Sequence, residues 1–227
     1  MRDAAPGSDF SLPVSTGEYL DQDVFFDLDG TLTNPRLGIT RCMRHALDSL
    51  SVACPSDDVL ASFIGPPLRG AFATLLGTPD PKRIEEAMAR YRERFADTGL
   101  FENEVYGGIP ELLARATDTG ARLFVATSKP TVFAERVLEH FSLRTYFAGV
   151  YGPELDGRFE DKADLLKHLL EAEGIAAKDA VMVGDRAADV SAARANGVRS
   201  IGVLWGTGRN GSWSKRGPTR CVRIPVH

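Results

Sequence analysis

The stretch VFFDLDGTL, residues 24–32, decides the fold. Its leading apolar residues predict a short buried strand that ends before Gly30. Two carboxylates, Asp27 and Asp29, stand at alternate positions in this run, where a buried acid is costly unless it is paired. A single Asp-x-Asp is most often a turn or the start of a helix. Whether this pair forms a site therefore depends on what the rest of the chain brings to the end of the strand.

Beyond residue 100, strand-like apolar runs alternate with helical patterns. Strands are predicted in ARLFVAT, FAGVYG, AVMVGD and SIGVLW, with helical segments between them, and RCVRIPVH is a candidate edge strand. This alternation predicts an α/β fold, a Rossmann-like parallel sheet core flanked by helices, with right-handed crossovers. Ligands of such sheets bind at the carboxyl ends of the strands.

The segment between the first strand and residue 100 has a different pattern. GITRCMRHALDSL places apolar residues on one side of a helix, and further helices are predicted at 56–63, 68–76 and 81–95. No strand pattern occurs between residues 37 and 100. We therefore predict an inserted small α-helical cap domain at 37–100, a core at 23–36 and 101–227, and a loose leader at 1–22. FENEVYGG, residues 101–108, is predicted to be a hinge.

Composition excludes several classes of function. The 227 residues are 43% hydrophobic, which suits a packed core, and the net charge of −4 predicts no general attraction to nucleic acid or anionic membranes. Three widely spaced cysteines argue against a disulfide framework and fit a reducing compartment. No apolar run is long enough to span a bilayer, and no signal peptide is visible. We expect a cytoplasmic monomer or homodimer with no nucleic-acid or membrane partner.

Polar residues are predicted at the carboxyl ends of the strands and beside them: Asp27, Asp29, Thr127, Ser128, Asp185, Asp189 and, at the start of a helix, Lys162. Clustered acids repel one another, so we expect a cation there, and an oxygen-only set suits Mg²⁺. Thr127, Ser128 and Lys162, with the backbone at Gly30 and Thr31, make an anion site of phosphate size. Together these groups predict phosphoryl transfer.

Four segments resemble the motifs of the haloacid dehalogenase superfamily, in the order of that family: FFDLDGTL, FVATSKP, the lysine of EDKADLL, and VMVGDRAADV. The resemblance covers residues 24–208. A helical cap after the first strand resembles the phosphoglycolate phosphatase-like branch. The resemblance implies a Mg²⁺-dependent phosphatase that hydrolyses a small organic phosphomonoester, its partner being a small phosphorylated metabolite.

The resemblance also implies a role for each matching residue. Asp27 is the expected nucleophile, which forms an aspartyl-phosphate. Asp29 is the expected general acid for the leaving oxygen and then the base for water. Thr127 is expected to hold a phosphoryl oxygen, and Lys162 to neutralise charge on the nucleophile and the phosphate.

The implied magnesium site uses Asp27, Asp185 and the backbone carbonyl of Asp29, with Asp189 acting from behind these ligands or through water. Substrate choice is expected in the cap, where FIGPPLRG, residues 63–70, is the predicted specificity loop. There Arg69 is predicted to reach an anionic or hydroxyl-rich group of the substrate. The alternative is an ordinary turn between helices with a surface arginine.

Competing activities differ in the residues they need. Dehalogenation requires no acid at position 29, and phosphonate cleavage requires a cap lysine, whereas Lys82 lies in a highly charged helix. A sugar phosphomutase and a non-catalytic phosphate-ligand binding protein stay open. So does the substrate, among phosphoglycolate, a sugar phosphate, a nucleotide and a phosphorylated biosynthetic intermediate.

Overall fold

A six-stranded parallel sheet forms the centre of the fold in the computed structural model, which describes residues 22–64, 68–206, 218 and 220–222. Its strands are β1 (Asp23–Phe26), β4 (Leu123–Ala126), β5 (Gly149–Tyr151), β6 (Ala180–Gly184), β7 (Arg199–Val203) and β8 (Arg220–Val222), in the spatial order β5-β4-β1-β6-β7-β8. Since the chain builds outward on one side of β1 and then on the other, β1 lies at the switch point where such sheets bind ligands. The predicted α/β fold is confirmed.

Helices cover both faces of the sheet, as the alternation of side chains along β1 requires. Val24 and Phe26 pack on one face with buried residues of α5 (Ile109–Asp118) and α6 (Thr131–His140). Phe25 points the other way, toward buried residues of α7 (Lys162–Glu173) and α8 (Ala187–Ala195). The strand is buried on both sides, so its end is held rigidly.

The segment between β1 and the later strands is helical. It contains α1 (Arg36–Ser49), α2 (Asp57–Ala61), α3 (Leu68–Leu75), α4 (Pro81–Arg94) and a π-helical turn at Phe95–Gly99. Between residues 37 and 100, the described residues include no strand, as predicted. This helical insert shares one hydrophobic cluster with the sheet, since Leu47 and Phe72 belong to the same cluster as Phe26. The division of the chain into core and cap domains at 37 and 100 stays a prediction.

A two-stranded ribbon joins the two connections of the insert. β2 (Thr33–Asn34) and β3 (Glu104–Val105) are antiparallel, with Thr33 opposite Val105 and Asn34 opposite Glu104. The Tyr106 amide continues the pairing by donating to the Leu32 carbonyl at 3.1 Å. The ribbon lies where the hinge is predicted, although the sequence does not predict its pairing.

Some predictions concern parts of the chain outside this description. The leader is described only at Gln22, and residues 65–67 of the predicted specificity loop are outside the described residues. The edge strand is confirmed for Arg220–Val222, which pairs with β7. All three cysteines are free thiols. Within the described ranges, no helix combines the length and apolar character needed to cross a bilayer.

Candidate active site

The end of β1 places Asp27 at the carboxyl edge of the sheet. The Asp27 amide donates to the Val183 carbonyl at 2.9 Å, so the β1–β6 pairing continues to this residue. Its carboxylate is buried and accepts a hydrogen bond from Lys162 Nζ at 2.8 Å. A buried carboxylate whose orientation is set by the sheet and by one ammonium is well suited to act as a nucleophile.

Lys162 is the first residue of α7, as predicted. The preceding Asp161 caps this helix, because its Oδ1 accepts from the amides of Ala163 at 2.8 Å and Asp164 at 3.2 Å. The cap fixes where the helix begins and so where the lysine projects. Lys162 is buried and also pairs with Asp189. Burial alone would lower the pKa of Lys162, but the charges of Asp189 and Asp27 together raise it above its ordinary value.

Three buried carboxylates form a group that fits a metal ion. Asp27, Asp185 and Asp189 each offer an oxygen, and these oxygens lie within 4.8 Å of one another. Oxygen-only donors are the ligands that Mg²⁺ prefers. Asp189 also accepts from the Arg186 amide at 2.9 Å through its second oxygen, so it caps α8 as well. Burial raises the pKa of Asp189, and the charge of Lys162 opposes that shift.

Two glycines bring backbone close to this group. Gly30 has a φ of +95°, and a Cβ there would overlap the Asp185 carboxylate. A Cβ on Gly206 would overlap the Gly30 carbonyl and the same aspartate. Next to Gly206, Trp205 Nε1 donates to the Thr31 carbonyl at 3.0 Å. Residues 205 and 206 therefore hold the loop that follows β1 from outside. The sequence did not predict this role, although Trp205 ends the predicted strand SIGVLW and Gly206 follows it.

Asp29 has a cation of its own, Lys129. Lys129 Nζ donates to Asp29 Oδ1 at 2.8 Å, and the lysine side chain is 5% exposed. Burial raises the pKa of Asp29, and Lys129 offsets part of the shift. A raised pKa favours a carboxyl group that donates a proton. The sequence interpretation left Lys129 without a role, and the signal it offered was a lysine three residues after the end of β4.

The predicted phosphate-binding residues surround the same edge of the sheet. Thr127 is buried, its amide donates to the Tyr151 carbonyl at 2.9 Å, and its hydroxyl accepts from the Lys129 amide at 3.2 Å. Ser128 is exposed, and the Thr31 hydroxyl is buried with no hydrogen bond among the described residues. The phosphate contacts of Gly30, Thr31, Thr127 and Ser128 stay predictions.

Arg69 lies on α3 of the helical insert, and its ion-pair partner lies outside the cluster of aspartates. Its guanidinium forms an ion pair with Glu85 of α4, and its side chain is 58% exposed. Its predicted part in substrate binding stays a prediction.

Comparison with known proteins identifies the family. The sequence matches the model of the family described as haloacid dehalogenase-like hydrolase over residues 24–203. The chain belongs to this family. The match spans the motif residues Asp27, Thr127, Lys162 and Asp185, so the predicted family is confirmed. Proteins named phosphoglycolate phosphatase are also among its relatives.

Two relatives and one solved structure are similar to this chain over most of its length. A 5'-nucleotidase of Pseudomonas aeruginosa is 47% identical over 87% of this chain and 89% of its own length. The tyrosine-protein kinase PtkA of Mycobacterium tuberculosis is 39% identical over 83% of this chain, which spans 64% of that protein. The crystal structure of a predicted phosphatase from Clostridium acetobutylicum is 40% identical, with a TM-score of 0.83 over 90% of this chain and 94% of the other. The predicted class, a phosphoric monoester hydrolase, is confirmed.

Proposed function

We propose that this hydrolase removes the phosphoryl group of small organic phosphomonoesters with Mg²⁺ as cofactor, through an aspartyl-phosphate on Asp27. One observation carries the proposal: Asp27 is buried, paired with Lys162 at 2.8 Å, and grouped with Asp185 and Asp189. A carboxylate in that position is both a nucleophile and a metal ligand. Asp29, held separately by Lys129, is left for proton transfer.

In the first step an Asp27 oxygen forms a bond to phosphorus, and the bond from phosphorus to the ester oxygen breaks. The leaving oxygen takes a proton from Asp29, so an alcohol departs. Lys162 neutralises charge on the attacking carboxylate and on the phosphoryl group. When bound by Asp27, Asp185 and Asp189, Mg²⁺ supplies further positive charge against the phosphate dianion.

In the second step water attacks the phosphorus of the aspartyl-phosphate. Asp29, now ionised, accepts the proton of the attacking water. The bond from phosphorus to the Asp27 oxygen breaks, which releases inorganic phosphate and restores the carboxylate. Asp29 therefore ends the cycle protonated, as it began.

A nucleoside 5'-monophosphate is the substrate class that we test first. The 47% identical relative named 5'-nucleotidase covers nearly the whole of this chain, which supports that choice. Phosphoglycolate and sugar phosphates follow, because the fold by itself does not determine the substrate.

Transfer of the phosphoryl group to a hydroxyl other than water is the second candidate. The relative named tyrosine-protein kinase PtkA, at 39% identity, favours it. Such a transfer shares the buried nucleophile and differs only in the group that attacks the phosphorylated intermediate. It also covers the sugar phosphomutase alternative.

A phosphate-release assay tests the proposal. Purified protein is incubated with nucleoside 5'-monophosphates, phosphoglycolate, sugar phosphates and p-nitrophenyl phosphate, with Mg²⁺ and with EDTA. We expect release that depends on Mg²⁺ and is undetectable in Asp27→Asn, which keeps the shape of the side chain and loses its charge. Asp118→Asn, a change at an exposed aspartate, should behave as wild type.

Near-normal turnover by a folded Asp27→Asn protein would contradict the covalent mechanism. Phosphate transferred to a tyrosine-containing peptide or a sugar phosphate, with little release as inorganic phosphate, would favour the second candidate over hydrolysis.

A further inference from the structure

Lys129 is a buried lysine that the mechanism above has not used directly. The residue is 7% exposed. Lysine is almost never fully buried unless it is paired. The pairing partner is Asp29 at 2.8 Å, so the buried charge of Lys129 is matched to the carboxylate that exchanges protons with substrate and water. Its backbone amide separately contacts the Thr127 hydroxyl, and a change of side chain leaves that contact in place.

The other side of the Lys129 ammonium faces the helical insert. Nζ lies 5.4 Å from the centroid of the Phe95 ring, within the range of a cation–π contact. Phe95 is the first residue of the π-helical turn that follows α4. It stacks on Tyr91 of the insert at 5.2 Å and meets Phe133 of α6 edge-on at 5.6 Å.

The two lysines of the site divide the carboxylates between them. Lys162 pairs with Asp27 and Asp189, whereas Lys129 pairs with Asp29. Lys162 comes from α7 and its described contacts are with the core. Lys129 is the one that also touches the insert. A shift of Phe95 therefore changes the environment of the cation beside Asp29 directly.

We propose that Lys129 is a positioning residue that holds the Asp29 carboxylate toward the leaving group and couples that position to the packing of the helical insert through Phe95. The catalytic part rests on the function proposed above. When the insert is packed down, Phe95 and Asp29 fix the ammonium from two sides. A displacement of Phe95 removes the aromatic contact of Lys129 and gives the Asp29 side chain more freedom.

Single-turnover measurements test the catalytic part. Lys129→Met keeps the length of the side chain and removes the charge. We expect the burst rate on an alkyl phosphomonoester to fall by about tenfold or more, within the range that general acid catalysis contributes, and to fall much less on p-nitrophenyl phosphate, whose leaving group needs little protonation. Lys82→Met, at an exposed lysine of α4, is the matched control and should change neither rate.

Hydrogen exchange tests the coupling without any turnover. In Lys129→Met, deuterium uptake should rise in residues 28–33 and in residues 95–101, while Lys82→Met leaves both unchanged. Phe95→Leu removes the aromatic ring and keeps an apolar side chain, so it should raise uptake in residues 28–33. It should also lower the alkyl-ester burst rate by about threefold or more, threefold being the lower end of what a cation–π contact contributes. If Lys129→Met does not fold, Phe95→Leu alone decides whether the position of Asp29 is coupled to the helical insert.

Equal losses on both esters would overturn the positioning role. Unchanged exchange in residues 28–33 in both variants would overturn the coupling. Wild-type protein that releases no phosphate from any ester would instead contradict the proposed function, and the exchange measurements would still decide whether Lys129 joins the two segments.

Discussion

Asp27 and Asp29 lie two residues apart and have separate cations. Lys162 sits against the first and Lys129 against the second, each at 2.8 Å. With separate partners, Lys162 stays beside the nucleophile while Asp29 exchanges a proton beside Lys129.

Replacement of Asp29 by Asn separates chemistry from packing at this position. Asp29→Asn should still bind Mg²⁺, since the predicted metal contact there is a backbone carbonyl. It should lose about 10²-fold or more in burst rate on an alkyl phosphomonoester, the usual contribution of a general acid, and less on p-nitrophenyl phosphate. Rapid-quench single-turnover assays measure both rates. An equal loss on the two esters would mean that Asp29 only shapes the loop.

At the scale of residues, motif order predicts Asp27, Asp185, Asp189 and Lys162 as one group, and the structure brings these four together. The sequence does not predict that Lys129 and Trp205 hold the loop that follows β1. Lys129 donates a hydrogen bond to Asp29, and Trp205 donates one to the Thr31 carbonyl. A contact between residues about 100 or 174 positions apart leaves no periodic trace in the chain.

At the scale of elements, Glu102 ties the exit of the insert to its first and last long helices. Its carboxylate accepts from Arg94 at 2.7 and 3.0 Å and from Arg41 at 2.7 Å. Its carbonyl accepts from the Gly38 amide at 2.9 Å. These hydrogen bonds, led by those from Arg94, lower the pKa of Glu102. The ion pair therefore favours the folded state whenever Glu102 is ionised.

Glu102→Gln should destabilise the protein by about 1 kcal/mol at pH 7, the scale of one hydrogen bond to a charged group in a partly exposed setting. The folded pKa lies below the unfolded value of about 4.3, so the contribution is complete above that pH and is lost as pH falls through the folded pKa. Urea unfolding of the wild type and of Glu102→Gln between pH 7 and pH 3 measures this difference in the free energy of unfolding.

The difference in the free energy of unfolding between wild type and Glu102→Gln should therefore disappear as the pH falls. Glu86→Gln, at an exposed glutamate of α4, is the control and should match wild type throughout. A gap that stays constant to the lowest pH would show that the ion pair is not its source.

Elements long enough to show a pattern are predictable from this sequence. The strands β4 and β6 are apolar runs, and α4 begins at Pro81 and ends within a residue of its predicted limit. The ribbon of β2 and β3 has two residues in each strand, too few for alternation to appear. The π-helical turn at Phe95–Gly99 likewise continues a helical pattern without changing it.

At the scale of the whole molecule, metal binding should stabilise the fold. Asp27 is far along the chain from Asp185 and Asp189, and only folding places the oxygens of the three within 4.8 Å. A ligand that binds only the folded state at 100 times its Kd adds about 2.7 kcal/mol. Thermal unfolding should therefore show a Tm that rises with Mg²⁺ and returns to its starting value with EDTA.

Asp185→Asn should remove most of this Mg²⁺-dependent rise in Tm, because Asp185 is one of the three grouped carboxylates that would hold the ion. It is fully buried beside Gly30 and Gly206. Asp179→Asn, at an exposed aspartate one residue before β6, should keep the full rise. The same rise in Asp185→Asn as in wild type would place the ion elsewhere.

In the ribbon of β2 and β3, the segment by which the chain leaves the sheet pairs with the segment by which it returns. Asn34 and Glu104 face each other across one rung, so both covalent connections of the helical insert pass through this ribbon. A tight turn could close that rung and leave every strand in its place. The helical insert can therefore be replaced without a change in the order of the strands, provided that the replacement covers the hydrophobic surface on which the insert packs.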